Sequence, residues 1–104
     1  MDGGEVLALR QVMTISREEF LRCLPAAVGH DPYVVAGESI RSGAVCGADS
    51  ARGWRITVAP LSDLAIGLLR LPRHHVNLFL RGYDPVAARA FLDRFELYFR
   101  RGGG

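Results

Sequence analysis

The alternation of apolar and polar residues predicts a β-strand near the start of the chain, over residues 5–15. Its apolar residues share one parity, interrupted only by Gln11: Leu7, Leu9, Met13 and Ile15. Side chains two positions apart lie on the same face of a strand, so this segment has one apolar face. Arg10 falls on the opposite parity and is expected on the polar face.

A helix is predicted to begin after Ser16. The Ser16 hydroxyl suits an N-cap, and Glu19 stands three residues on, where a carboxylate reaches back to the cap amide. The apolar stripe of this helix contains Phe20, Leu21 and Leu24. Because proline removes a helical hydrogen bond, we expect a kink or a restart at Pro25 and an end near Gly29.

Four strands are predicted between this helix and the next. They cover residues 33–40, 54–60, 64–71 and 75–81. The expected turns are at residues 62–63 and 72–73, where serine, aspartate and proline occur. Residues 41–53 contain three glycines and are predicted to be either a long hairpin with bulges or a mobile loop.

A second helix is predicted from Pro85 to about residue 101. Asp84 is a favourable N-cap and Pro85 suits the first helical position, while Gly102 ends the helix. The order β-α-β-β-β-β-α predicts an α+β two-layer sandwich, with an antiparallel sheet of four to five strands and both helices on one face. Residues 1–101 are expected to form a single domain, followed by a disordered glycine tail at residues 102–104.

This last helix is more apolar than a helix with one buried face needs. A helix on a sheet hides an arc of just over about 100° and exposes the rest. We therefore predict a homodimer whose interface contains Phe91, Phe95, Leu97, Tyr98 and Phe99. Two alternatives remain: the first helix and the long loop cover this surface within one chain, or the surface is a groove for an apolar ligand or peptide.

The basic residues of the chain are all arginine. There are 13 of them against 11 acidic residues, a formal net charge of +2. Two interpretations are open: a genomic bias toward arginine codons, which the many Ala and Gly residues also suggest, or a surface that binds phosphates or carboxylates through bidentate guanidinium groups. The solvent face of the sheet is predicted to carry Arg10, Arg55, Arg70 and Arg81. Such a face would bind an anion or single-stranded nucleic acid, although the arginines are spread along the chain and nucleic acid is not favoured.

Candidate reactive residues are few. His74 and His75 are weak candidates for metal ligands, because neighbouring strand residues point to opposite faces and a catalytic zinc needs three protein ligands. Cys23 and Cys46 are expected to be buried and to pack as small hydrophobic residues. The alternative is that one of the cysteines or histidines is reactive and the protein is a small metal or cysteine enzyme. No residue is predicted to be catalytic and no cofactor is expected.

The chain shows no signal-peptide pattern at its start, and its longest apolar runs, such as residues 64–69, are too short to span a membrane. We therefore expect a cytoplasmic protein that has no membrane contact. The sequence favours a small non-enzymatic interaction or ligand-binding module that forms a homodimer. The alternatives are an anion or single-stranded nucleic-acid binder and a small enzyme.

Overall fold

The computed structural model describes residues 5–43 and 52–102. In chain order its elements are β1 (Val6–Met13), α1 (Arg17–Ala27), β2 (Tyr33–Ala36), β3 (Ser39–Ser42), β4 (Gly53–Ile66), β5 (Leu69–Arg81) and α2 (Pro85–Gly102). The five strands form one antiparallel sheet in the order β1-β5-β4-β3-β2. The predicted α+β class and the order of elements are confirmed.

One hydrophobic core lies between the sheet and the two helices. Alternate residues of the central strands face it: Trp54, Ile56 and Val58 of β4, and Val76, Leu78 and Leu80 of β5. The helices close it with Phe20 and Leu24 of α1 and Phe95 and Phe99 of α2. The other alternate residues, such as Thr57 and Asn77, lie on the opposite side of the sheet, which we call the helix-free face.

Both ends of α1 follow from local sequence. The Ser16 hydroxyl accepts a hydrogen bond from the Glu19 amide at 3.1 Å, which confirms the predicted N-cap. The helix continues through Pro25 as one element to Ala27. Gly29 and His30 then adopt φ of 68° and 64°. The Gly29 and His30 amides donate to carbonyls of the last turn at 3.2 and 2.7 Å, which is the Schellman ending.

Two tight hairpins were not expected from the sequence. β2 and β3 are joined through Gly37 and Glu38, and β4 and β5 through Gly67 and Leu68. In each loop the first residue is glycine with positive φ, 63° for Gly37 and 59° for Gly67. A positive φ at that position alone is the type II′ turn, which matches the twist of the flanking strands.

The predictions of turns at residues 62–63 and 72–73 are wrong. Strand β4 continues through the first position and β5 through the second, and together they form one long ribbon. The register shifts between Leu61 and Leu64, so Ser62 and Asp63 form a β-bulge. The Arg73 side chain donates to the Ser62 carbonyl at 3.0 Å and to its hydroxyl at 3.3 Å. The serine and aspartate thus mark a bulge held by an arginine, and not a chain reversal.

β1 also contains a bulge, and this changes which residues share a face. The register shifts between Leu7 and Leu9. Leu7 pairs with Phe79 on the helix-free face, whereas Leu9 pairs with the buried Leu78. The prediction that Leu7 and Leu9 share one face is therefore wrong.

Residues 44–51, which form most of the segment predicted as a hairpin or loop, lie outside the described residues, as does the end of the glycine tail at 103–104. Residues 41 and 42 belong to β3, and Gly43 follows it. Within residues 5–43 and 52–102, neither helix combines the length and hydropathy that a membrane span requires.

Candidate functional surfaces

The five residues predicted to form a partner interface on α2 are divided by the structure. Phe95 and Phe99 are 0% and 4% exposed, so these two cannot contact a partner and their assignment to an interface is wrong. Phe91 is half-buried and packs near the rings of Trp54 and Tyr83. Leu97 and Tyr98 remain exposed, at 49% and 38%.

Packing of α2 against other elements of the same chain explains why this helix is so apolar. The helix packs against α1 as well as the sheet. The Phe99 ring stacks on Phe20 of α1 with centroids 4.6 Å apart, and the Phe95 ring lies 4.7 Å from Phe99. Because two elements cover α2 from different directions, it buries a wider arc than a helix on a sheet alone.

The β4–β5 ribbon extends beyond the rest of the sheet. β1 pairs with β5 only as far as His74, and β3 pairs with β4 only as far as Thr57. Residues 61–73 therefore form a two-stranded extension, which we call the arm. The longest dimension of the molecule is 50 Å, about twice the other two at 26 and 25 Å. No other described strand or helix pairs with the arm.

One face of the arm is aliphatic. Directly paired residues of antiparallel strands point to the same side, and the alternation along β5 places this side on the helix-free face. Its aliphatic residues are Leu61, Leu64, Ile66, Leu69 and Leu71, and Arg73 lies beside Leu61 where the arm joins the sheet. Ile66 and Leu69 are 55% and 59% exposed, and Leu68 at the tip is fully exposed. Ala65 and Arg70 form the pair on the opposite face of the arm.

The other end of the helix-free face carries arginines. Arg55 pairs with Phe79 across the sheet, and Arg81 pairs with Gly53 one row further towards the end of the sheet. Arg10 pairs with Asn77 on the same face. The prediction is wrong for Arg70, which pairs with Ala65 in the arm on the opposite parity from Arg81. The absence of the turn expected at residues 72–73 is the reason, because β5 alternates without interruption.

Arg41 was missed by the sequence analysis. It pairs directly with Arg55, so both side chains lie on the helix-free face. Arg41 lies at the start of residues 41–53, for which the sequence predicts either a hairpin or a loop. The alternation of polar Ser39, apolar Ile40 and polar Arg41 ahead of the glycines is the signal that would have placed it on a strand.

Arg41, Arg55 and Arg81 line a depression of about 320 Å³, which also contains Glu5 and Ser42. We call these three arginines the arginine cluster. Arg55 donates from Nε to both carboxylate oxygens of Glu5, at 3.2 and 2.9 Å, and from Nη2 at 2.8 Å. Its guanidinium also lies over the Phe79 ring, 4.3 Å from the centroid. These contacts fix the orientation of Arg55.

The Arg81 guanidinium lies against the backbone of Gly53. A Cβ atom at Gly53 would lie 2.8 Å from Arg81 Nη2 and 3.0 Å from Ser42 Oγ. Ser42 Oγ accepts a hydrogen bond from the Trp54 amide at 3.0 Å. The missing side chain of Gly53 is therefore what allows Arg81 and Ser42 to lie so close to the backbone of residue 53.

The cluster changes the acidity of Glu5. The hydrogen bonds from Arg55 lower the pKa of the Glu5 carboxyl below its ordinary value of 4.5, with partial desolvation opposing them. The positive charges of Arg41 and Arg81 lower this pKa further. All three guanidinium groups thus favour the ionised form of the Glu5 carboxyl.

The two histidines lie on opposite faces of β5. His74 is buried on the core side, and its Nδ1 lies 2.8 Å from the Ile15 carbonyl oxygen, to which it donates. His75 pairs with Ala59 and Val12 on the helix-free face. Within the described residues no three histidine, cysteine or acidic side chains are grouped as metal ligands would be. Cys23 is half-buried against the core, and Cys46 lies outside the described residues.

Comparison with known proteins adds no family to these observations. No protein-family model, no curated protein and no solved structure matches this chain significantly.

Proposed function

We propose that this protein is a non-enzymatic interaction module that forms a homodimer through the aliphatic face of its arm. The observation that carries the proposal is a row of five aliphatic side chains on a two-stranded ribbon that no other described element covers. An isolated two-stranded ribbon is only marginally stable in water. A layer packed on the aliphatic face would therefore stabilise the arm itself.

A second copy of the chain fits this requirement. In a two-fold dimer the same patch serves both subunits, so the patch must be complementary to itself. Aliphatic sheet faces meet this condition, because two of them pack against each other at about 10 Å without any polar group needing a partner. Arg73, which pairs with Leu61 at the inner end of the row, already donates hydrogen bonds to the Ser62 carbonyl and hydroxyl, so the rest of the row can pack without a charge that needs a partner.

The expected energy is comparable with the cost of association. Four large hydrophobic side chains of the arm are exposed: Leu61, Ile66, Leu68 and Leu69. Completing the burial of each contributes about 1 kcal/mol or more, so the eight side chains of a dimer contribute roughly 10 kcal/mol. Association costs roughly 4–15 kcal/mol. We therefore expect a dimer that dissociates on dilution. We also propose that the protein is cytoplasmic, on the ground of its sequence.

Sedimentation equilibrium tests this assembly. The unmodified chain is expected to be dimeric at a concentration of about 100 µM and to become monomeric on dilution. Leu69→Asp places a charge on the aliphatic face and should give a monomer at every concentration. Ala65→Asp is the matched control: it adds the same charge to the same arm on the opposite face and should leave the dimer intact.

Leu97→Asp distinguishes the arm from the surface of α2. Leu97 and Tyr98 are the two exposed residues of the α2 interface that the sequence predicts. If the arm forms the interface, Leu97→Asp remains dimeric. A chain that stays monomeric at about 100 µM, or a dimer that Leu97→Asp disrupts and Leu69→Asp does not, contradicts the proposal.

A further inference from the structure

The arginine cluster concentrates positive charge at one end of the helix-free face. Arg41 and Arg55 lie directly opposite each other on neighbouring strands. Like charges in that arrangement destabilise a sheet. Glu5 supplies one carboxylate against three guanidinium groups, and it forms its ion pair with Arg55. Within residues 5–43 and 52–102, no carboxylate forms an ion pair with Arg41 or Arg81.

The central arginine of the cluster, Arg55, is held in place before any ligand arrives. Arg55 is fixed by a bidentate ion pair and by the Phe79 ring. Arg81 occupies the space that a side chain at residue 53 would fill. Groups that are already ordered lose less conformational entropy when they bind a ligand. The arrangement thus has the features of a site and not of arginines spread over a solvated surface.

We infer that this depression binds a small phosphorylated molecule through its phosphate groups. Guanidinium groups match phosphate oxygens in bidentate geometry, and Ser42 adds a hydroxyl that can donate a hydrogen bond. The volume of about 320 Å³ is at the lower end of the range for small-molecule sites, which suits one or two phosphate groups and a small organic part. This inference is independent of the proposed dimer, because the arm lies at the other end of the face.

The surroundings favour a small molecule over single-stranded nucleic acid. A nucleic-acid strand needs a track of positive charge and aromatic rings on which bases stack. The Phe79 ring is already covered by the Arg55 guanidinium. Beyond the cluster, the next row of the face contains Thr57 and Asn77, which hydrogen-bond to each other at 3.2 Å, and a single arginine, Arg10.

Calorimetric titration of the full chain with inorganic pyrophosphate at low ionic strength tests the site. We expect saturable binding, and Arg81→Ala and Arg41→Ala should each weaken it by about tenfold or more, because each loses a charge-assisted hydrogen bond. Arg70→Ala is the matched control. It removes the same charge from the arm and should leave the dissociation constant unchanged.

Gly53→Ala separates geometry from net charge. The added methyl group would overlap Arg81 Nη2, the mobile end of a long side chain, so the guanidinium moves while the fold and the charge are retained. We expect weaker binding by several-fold, with circular dichroism unchanged. The inference is overturned if pyrophosphate does not bind, or if Gly53→Ala and Arg81→Ala bind it like the unmodified chain. It is also overturned if a single-stranded oligonucleotide binds more tightly than pyrophosphate and Arg10→Ala abolishes that binding.

Discussion

At the scale of single residues, burial within the chain decides which apolar side chains are available to a partner. Phe95 and Phe99 were predicted at an interface because α2 is apolar around most of its circumference. Both lie in the core, where Phe95 contacts Phe99 and Phe99 stacks on Phe20. Leu97 is on the same helix and half exposed. The helical repeat alone does not reveal this difference, because it depends on where α1 packs.

Replacing Phe95 should therefore destabilise the fold far more than replacing Leu97. Removing a fully buried phenylalanine side chain costs about 3–5 kcal/mol, so Phe95→Ala should lower the free energy of unfolding by that amount. Leu97→Ala is expected to cost less than about 1 kcal/mol, since its side chain is half in water. Urea denaturation followed by the fluorescence of Trp54 measures both. Equal losses in the two variants would mean that α2 is packed differently.

The Glu5 carboxyl provides a prediction for pH dependence. Its pKa in the folded protein lies below 4.5, chiefly because Arg55 donates hydrogen bonds to its ionised form. Glu5 therefore contributes stability that is present above pH 4.5 and is lost as the pH falls through the lower folded pKa. An NMR titration of the Glu5 carboxyl should show this depressed value, and Arg55→Gln should raise it towards 4.5. A Glu5 pKa that Arg55→Gln leaves unchanged would refute the pairing.

At the scale of elements, the sequence predicts what each segment is better than where it turns. Ser16 and Asp84 cap the two helices as expected, and their side-chain oxygens accept hydrogen bonds from the Glu19 and Ala87 amides at 3.1 and 2.8 Å. Clear alternation likewise predicted that the region around Ile56 is a strand. The two hairpins were missed because each of their loops is marked by one glycine inside an apolar run, where a single glycine also fits a continuous strand.

The turn at Gly67 is the simplest test of this account of the hairpins. Gly67 has φ of 59°, and no atom lies within 4 Å of the position of an added Cβ. Gly67→Ala therefore changes only the conformational strain, and we expect a loss of about 1 kcal/mol in the free energy of unfolding. Gly67→Asn should lose less, because asparagine adopts positive φ more readily. Thermal or urea denaturation of both variants measures the difference, and a neutral Gly67→Ala would contradict the assigned turn.

At the scale of the whole molecule, the helix-free face divides into an arginine-rich end and an aliphatic end. Alternation along the strands placed Arg10, Arg55 and Arg81 on this face from the sequence alone. It failed for Arg70 because the turn expected at residues 72–73 does not exist, so β5 alternates without interruption from the arm into the sheet. Whether residues converge depends on pairing between distant strands, such as Arg41 beside Arg55, and alternation along one strand does not specify that.

The division of this face suggests two separate roles, self-association at the arm and ligand binding at the arginine cluster. The aliphatic row that includes Leu69 lies on the face of the sheet that no helix covers, and its side chains are largely exposed. A molecule with this arrangement should bury its arm against another copy, and the contacts between copies should come from the arm and not from α2.

An isotope-filtered NOE experiment on a mixture of labelled and unlabelled chains, at a concentration where the dimer predominates, measures those contacts directly. We predict NOEs between copies from the methyl groups of Leu64, Ile66 and Leu69, and none from Leu97. An absence of NOEs between copies at the arm, or NOEs that come from Leu97 instead, would contradict the account.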